Sequence, residues 1–248
     1  MVKRVALVTG GTGGIGSAIC QQLHDDGYQV VAGYYSGGQH DKALAWQASM
    51  KEMGYEMAIA YGNITDYASC EACIEDIRTR FGSVDVLVNN GGITRDITLR
   101  KMTPEHWHDV IATNLTSVFY MTRLVVNDML GKQWGRIINI SSINGEKGQF
   151  GQANYSAAKA GMYGFTKAVA QEVAGKGVTV NTVSPGYIAT SMIMDVPEEI
   201  REQIRQGIPV GRFGEPNDIA RVVSFLAAEE AGFITGANIS ANGGQYMH

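Results

Sequence analysis

Tyr155 and Lys159 stand four residues apart in the helix-permissive run YSAAKAGMYGF, which places a phenol and an ammonium on one helix face. Ser142 precedes them at the end of the apolar run RIINISS. A hydroxyl at a strand end can face a helix that returns past it after a loop. Such a trio could donate a proton to a carbonyl oxygen. A free phenol, with a pKa of about 10, is a weak acid near neutrality, and a fixed ammonium nearby lowers that value. Isolated YxxxK pairs recur by accident on solvated helix faces, so the reading depends on a reductant site elsewhere in the chain.

The run VALVTG (Val5 to Gly10) reads as a strand leading into TGGTGGIG, and SAICQQLHDDG after it reads as an amphipathic helix. A glycine run between strand and helix is the context of a dinucleotide fingerprint. Glycines there permit a tight turn and close approach of backbone to a pyrophosphate at the helix N-terminus. Gly11, Gly13 and Gly16 fit GxGxxG, and Gly10, Gly14 and Gly16 fit GxxxGxG; Thr12 and Ile15 complete the loop. An NAD site of this kind carries an acid about 20 residues on, gripping the ribose 2′-hydroxyl. Here the second strand ends in Ala32, Gly33, Tyr34, Tyr35, Ser36, Gly37, Gly38 and Gln39, and the first acid is Asp41. A carboxylate at that corner would repel a 2′-phosphate, so its absence favours NADP(H). No Arg replaces it, which leaves Tyr35, Ser36 and the Gly37–Gly38 backbone as partners.

The positioning elements alternate. Strand patterns at YQVVAGYY, YEMAIAYGNI, VDVLVNNGG, GRIINISS, VTVNTVSPG and ITGANISANGG are separated by helical patterns, including one long helix over about 104–130. That alternation predicts one α/β domain over 1–248. Its core is a doubly wound, seven-stranded parallel sheet of Rossmann type with helices on both faces. The strands are nearly continuous Val/Ile/Leu runs, as in doubly buried sheets. The stretch 191–214, charged and bearing Met, is expected to form a small helical lid. Asn90, Gly91 and Gly92 end the fourth strand beside the point where strand order should reverse and ligands bind. Asn114 lies mid-helix in IATNLTSVFY; it is either a solvated Asn or the site of a kink that holds a water.

Composition narrows the function classes. The chain has 248 residues, 45% hydrophobic and 18% charged, with a net charge of −4 and no basic block, so nothing points to nucleic acid. The start MVKRVALVTGG lacks a signal-peptide core, and no run is long enough to span a bilayer. With three cysteines, these features predict a cytoplasmic protein. Cys70 and Cys73 form a CxxC inside a helical pattern without a second pair, and His106 and His108 point apart on a helix, so no metal site is expected.

These motifs, in order and at these spacings, resemble the short-chain dehydrogenase/reductase family from end to end. The matching residues are TGGTGGIG, NNGG, Asn114, Ser142, the YSAAK of Tyr155 and Lys159, and the SPG ending at Gly186; Gly91 departs from the family's usual Ala. The resemblance implies hydride transfer from a nicotinamide to a carbonyl. By it Tyr155 is the general acid, and Lys159 lowers its pKa and binds the nicotinamide ribose. Ser142 orients the carbonyl, and Asn114 holds a relay water. The resemblance also places Asn63 and Ile64 at the adenine, with Asn90, Gly91, Gly92 and Ile93 along the cofactor. Pro185, Gly186, Ile188 and Thr190 fall on the nicotinamide side. Within the family, GGITRDITLRKMT and EKGQFGQANYSAAKAG look most like bacterial acetoacetyl-CoA reductases of polyhydroxyalkanoate synthesis. That likeness implies substrate contacts from Asp96, Gln149, Phe150, Gln152 and Tyr187, together with Ser142 and Tyr155, and a homotetramer. The related 3-oxoacyl-carrier-protein reductases carry docking arginines where this chain has Gln133 and Gln171, which favours a CoA ester.

Overall fold

The computed structural model describes every residue except Met1, Val2, Ser36, Gln39, Ser191, Met192, Met194, Asp195 and His248. Seven strands form one sheet in the order β3-β2-β1-β4-β5-β6-β7, every neighbouring pair parallel. They are β1 (Val5–Val8), β2 (Gln29–Tyr34), β3 (Ala58–Tyr61), β4 (Val84–Asn89), β5 (Gly135–Ile140), β6 (Val178–Pro185) and β7 (Asn238–Ala241). The continuous apolar runs become strands buried from end to end in β4, β5 and β6.

The two faces hold separate cores. Ala6, Val8, Val86, Val88 and Ile138 face Ile19 and Leu23 of α1 (Gly14–Asp25) and Val223 and Leu226 of the helix Pro216–Ala227. Their alternates Leu7, Leu87 and Ile137 face Ile74 and Ile77 of α3 (Tyr67–Phe81) and Val125 and Met129 of the helix Ser117–Lys132. Each fully buried Leu or Ile contributes about 1.5–3 kcal/mol of transfer free energy, so both faces must stay covered. Between α1 and α3 lies α2 (Asp41–Glu52). Asp66 caps α3, accepting from Ala68 and Ser69 backbone N–H groups. Beyond α3, α4 (Pro104–Ile111) starts with Pro and a reciprocal cap in which the Thr103 hydroxyl and the His106 ring exchange hydrogen bonds with each other's backbone. His106 is thereby committed to a helix start.

Strand order turns at β1 and β4, whose successors run to opposite sides, so a crevice opens beyond Gly10 and Asn90. Two local structures depart from the sequence expectation. The long helix is divided: a π-helical turn, Ala112–Thr116, separates α4 from α5 (Ser117–Lys132). The spacer after Ser142 contains a short helix, α6 (Ile143–Lys147), before α7 (Ala153–Val173). Gly145 lets α6 lie on α7, because a Cβ there would stand 2.9 Å from the Lys159 backbone carbon. In the stretch expected to be a lid, residues 191, 192, 194 and 195 lie outside the described residues. The described part contains α8 (Glu198–Gln206), and Ile188 pairs with Gly214 in an isolated parallel bridge ahead of α9 (Pro216–Ala227). No helix among the described residues is long and apolar enough to cross a membrane.

Candidate active site

Ser142 leaves β5 in extended conformation and becomes the N-cap of α6, its Oγ accepting from the Asn144 backbone N–H at 3.1 Å. With that lone pair used, the Ser142 proton is free to point outward. Its carbonyl accepts from the Tyr163 hydroxyl at 3.1 Å, and Tyr163 stands 3.0 Å from Ser184 Oγ, which donates to Asn238 at 2.7 Å. Asn238 in turn donates to Glu146 Oε1 at 2.7 Å, so α6 is tied to β6 and β7.

Tyr155 sits on the first turn of α7. Fully buried Asn154 clamps that turn, donating to the Arg95 and His106 carbonyls at 3.2 and 3.0 Å and accepting from Tyr155 N at 2.8 Å. One turn on, Lys159 is 4% exposed; its Nζ donates to the Ile140 carbonyl at 2.8 Å and lies 5.6 Å from the Tyr155 ring centroid. Ser142, Tyr155 and Lys159 thus converge at the end of β5.

Their protonation differs from the expectation that the ammonium acidifies the phenol. Burial pushes the Tyr155 phenol up to about 12, the Ser142 hydroxyl pulls it back partway, and Asp96 and Tyr163 push it further up. Burial alone brings the Lys159 ammonium down to about 7. Desolvation outweighs pair attraction here, because the lysine's hydrogen bond is to a neutral carbonyl in a dry site.

Asn114 lies in the π-helical turn and is fully buried. Its amide donates to Val110 O at 3.0 Å and Ile93 O at 2.9 Å, and its Oδ1 accepts from Ile93 N at 3.0 Å. Asn114 is therefore buried and not solvated, and its side chain braces the chain where β4 enters the crevice. Gly92 makes room for it: a Cβ there would stand 2.3 Å from Asn114 Oδ1 and 3.6 Å from Lys159 Nζ.

The glycine loop forms the other wall. Gly10 has φ +62°, and a Cβ on Gly16 would lie 2.2 Å from the Gly10 carbonyl oxygen. Helix α1 begins at Gly14 without a capping side chain or an acid in its first turn, and Gly13 and Gly14 are exposed. The first amides of α1, including those of Gly14, Ile15 and Gly16, are orphan donors suited to an anion. Thr12 lies half-buried in the same loop. Thr190 reaches the loop from beyond β6, its Cγ2 3.0 Å from where a Gly14 Cβ would be, while Pro185 ends β6, Gly186 packs on Asn242 and Ile188 is buried. Thr9 Oγ1 accepts from the Asn90 and Gly91 amides, both at 3.0 Å, and Asn90 Nδ2 donates to Thr9 and Gly10 carbonyls. These bonds lock β1 to β4 at the switch point.

A cleft of about 480 Å³ opens beside this loop, lined by Gly10, Tyr34, Tyr35, Asn63, Ile64, Gly91, Gly92 and Ile93 among others. It holds the residues expected at the adenosine half but is not lined by Ser142 or Tyr155. The cleft, with the free helix amides beside it, suits the adenosine and pyrophosphate half of a dinucleotide. Asn63 turns its Oδ1 to Thr65, so only its Nδ2 is left for a base. A Cβ on Gly91 would lie 2.8 Å from Ile64 Cδ1; the glycine that departs from the family's Ala accommodates Ile64. Ser36 lies outside the described residues. Tyr35 is 55% exposed at the cleft mouth. Beside it, the Tyr34 hydroxyl is 2.6 Å from Nδ1 of His40, whose ring packs edge-on against Tyr61 with centroids 5.0 Å apart. The sequence reading passed over His40, whose only signal was its place just after the second strand's exit.

On the opposite side, Asp96 accepts from Gln152 Nε2 at 2.8 Å, and Gln152 Oε1 accepts from Asn144 Nδ2 at 2.9 Å. Asn144, which the sequence did not single out, lies in the loop between Ser142 and the Tyr155 helix. Gln149 accepts from Lys147 at 2.8 Å, and Phe150 is 87% exposed. Tyr187 is half-buried, its phenol raised by burial and by Asp96. Gln133, at the position aligned with docking arginines, is a left-handed helix cap with φ +53°, and Gln171 bonds to its own helix at Lys167 O. Cys70 and Cys73 are buried on α3, and burial raises both thiols, to about 11 and about 12.

A family model described as short chain dehydrogenase matches residues 4–201. The chain is 52% identical over 247 residues to an acetoacetyl-CoA reductase of Cupriavidus necator, covering 100% of both chains. It is 54% identical to an acetoacetyl-CoA reductase of Shinella zoogloeoides, over 99% of this chain and 100% of that one. A 3-oxoacyl-[acyl-carrier-protein] reductase of Haemophilus influenzae is 44% identical, with 100% of each chain covered.

Proposed function

Since the chain belongs to the short-chain dehydrogenase family, we propose that it reduces acetoacetyl-CoA to (R)-3-hydroxybutyryl-CoA with NADPH. The observation that carries this reading is the convergence of Ser142, Tyr155 and Lys159 beside the dinucleotide cleft, in a chain about half identical to reductases of that name.

When bound, the nicotinamide supplies a hydride; the chain's residues handle the proton and the orientation. The Ser142 Oγ already accepts from Asn144 N, so its proton is available to a carbonyl oxygen. Tyr155, with its phenol near 12, is protonated throughout the neutral range and stands loaded as the acid. Lys159 gives one N–H to Ile140, which leaves one for a ribose or a water in the uncharged amine and two in the ammonium. Asn114 holds the Gly92–Ile93 turn in place, which keeps that wall of the crevice open.

The choice of NADPH rests on the missing acid after β2. His40 strengthens it. His40 contacts the Tyr34 hydroxyl through Nδ1, and in the tautomer with its proton on Nε2 that nitrogen would be a donor for a phosphate. The choice of CoA rests on the absence of docking cations at Gln133 and Gln171. We read the protein as one cytoplasmic domain that assembles as a homotetramer; exposed Phe119 on α5 and fully exposed Phe233 are apolar surface that such an assembly would cover.

Steady-state rates with NADPH and NADH, each on acetoacetyl-CoA and on the acyl-carrier form, test this reading. NADPH with acetoacetyl-CoA should give the highest kcat/KM. Equal use of NADH would refute the argument from the missing acid. A strong carrier preference would turn the assignment to 3-oxoacyl-[acyl-carrier-protein] reduction, the activity named for the Haemophilus relative.

A further inference from the structure

Tyr155, Lys159 and Tyr163 follow one another at intervals of four on α7, so a second phenol shares the face of the first phenol and the lysine. That face looks onto the exit of β5, where three successive residues bond to it. The Ile140 carbonyl accepts from Lys159 Nζ at 2.8 Å, and Ser141 Oγ donates to the Lys159 carbonyl at 2.8 Å. The Ser142 carbonyl accepts from the Tyr163 hydroxyl at 3.1 Å. Among the described residues, no other side chain of α7 is hydrogen-bonded to the Ser142 backbone. The second lone pair of that carbonyl takes the Gly145 N–H at 2.9 Å, a bond internal to the α6 turn that moves with the serine. The Tyr163 bond is thus the one that ties the Ser142 peptide to the helix presenting Tyr155.

A carboxylate behind the site sets the polarity of this tie. Glu146 Oε1 accepts from Asn238 Nδ2 at 2.7 Å and from Ser240 Oγ at 2.5 Å, which turns the Asn238 carbonyl toward Ser184. Ser184 spends its single proton there, at 2.7 Å, so toward Tyr163, 3.0 Å away, it can only accept. The one Tyr163 proton therefore lies between two acceptors at nearly equal distance, the Ser142 carbonyl and Ser184 Oγ.

We propose that Tyr163 is a positioning residue, whose hydroxyl holds the Ser142 carbonyl and so fixes the serine relative to Tyr155, with Ser184 as a competing acceptor. The proposal rests on the reading of Tyr155 as proton donor in acetoacetyl-CoA reduction, and deepens it by naming what fastens Ser142 to the Tyr155 helix.

Two variants separate this role from plain packing. Tyr163→Phe removes the hydroxyl alone. The Ser142 carbonyl keeps Gly145 N and Ser184 keeps Asn238, so the urea midpoint should stay close to that of the unaltered protein. With NADPH and acetoacetyl-CoA, kcat should fall about tenfold, as for a reacting group displaced by a fraction of an ångström, with KM held within about twofold. Ser184→Ala does the reverse. Asn238 Oδ1 loses its donor, which should lower the urea midpoint, while the Tyr163 proton passes wholly to Ser142 and kcat should hold within about twofold. Tyr163→Met, which also lacks the donor but adapts to its surroundings, should repeat the kcat loss and keeps the test decisive if the Phe variant fails to fold. An unchanged kcat in the Tyr163 variants would overturn the proposal. So would a KM raised about tenfold with kcat kept, which would make the phenol a substrate contact. A fall of kcat in Ser184→Ala equal to that in Tyr163→Phe would overturn it as well, since activity would then follow the Ser184 bond. Failure of the underlying reading looks different: the unaltered protein would not reduce acetoacetyl-CoA, or Tyr155→Phe would keep its turnover.

Discussion

Replacing Lys159 by Met should stabilise the protein near neutral pH while removing its activity. The lysine is 4% exposed, its Nζ meets only a neutral carbonyl among the hydrogen bonds described, and burial brings its ammonium from an ordinary 10.5 down to about 7. The folded-state value is the lower one. Between about pH 7 and pH 10.5 the unfolded chain therefore holds a proton that the folded chain lacks, and stability rises with pH across that window. Below it both states are protonated, and the folded chain bears the full burden of a buried charge. At about 1.4 kcal/mol per pKa unit the whole effect is ~5 kcal/mol, and the rise from pH 7 to pH 9 is ~2 kcal/mol. Met keeps the stem and loses the charge, but it strands the Ile140 carbonyl, which costs ~1–2 kcal/mol. The net gain at pH 7 is ~3 kcal/mol. Urea denaturation followed by the fluorescence of the three tryptophans, at pH 6, 7.5 and 9, reads both quantities. The unaltered protein should gain stability between the two higher pH values, and the Met variant should be flat. A variant less stable than its parent at pH 7, with a flat parent profile, would mean that the ammonium is not desolvated and would refute the reasoning.

Three further perturbations follow from the same geometry. Tyr155→Phe should lose about 10²–10⁴-fold in turnover, the range of a general acid, with NADPH affinity by fluorescence titration unchanged; retained turnover would remove the phenol from the mechanism. Gly92→Ala should cost about 1–3 kcal/mol by thermal unfolding, with a matching loss of activity. Its Cβ would lie 2.3 Å from Asn114 Oδ1, so one of the two must shift. His40→Ala should weaken NADPH binding by roughly 10–100-fold, the loss of one hydrogen bond to a charged group, and leave NADH untouched. An unchanged affinity ratio in calorimetric titration would exclude His40 from the 2′-phosphate.

The fold was legible in the sequence because its signals are local and redundant. Seven apolar runs, each bounded by glycine or a cap, leave little choice but a parallel sheet, and TGGTGGIG marks the turn between β1 and α1. The pairing of Tyr155 and Lys159 was legible because the two share a helix turn, so their relation needs no tertiary information. What stayed hidden depends on contacts distant in sequence or on exceptions to helix geometry. The π-helical turn at Asn114 follows from side-chain bonds to Ile93, twenty-one residues away. Helix α6 is only five residues long, too short for periodicity to register. Its sole sequence signal was Ser142 as a cap. The Asp96–Gln152 pair joins residues fifty-six apart, and the sign of the Tyr155 shift depends on how much of the site is dry, which no spacing encodes.

That sign changes where control of the chemistry resides. Burial drives Tyr155 and Lys159 the same way, toward uncharged forms, so the helix pair alone does not produce an acidic phenol. Among the named influences on Tyr155, only the Ser142 hydroxyl favours the anion that remains after proton transfer. A phenol near 12 is always loaded for donation, and the barrier lies in accommodating the charge left behind. On the proposed mechanism Ser142 would serve twice, toward the carbonyl before transfer and toward the phenolate after it. Its placement depends on Asn144 N at its hydroxyl and Tyr163 at its carbonyl. The YxxxK pair marks the proposed site, and on the proposed mechanism the placement of Ser142 would govern how well the proton moves.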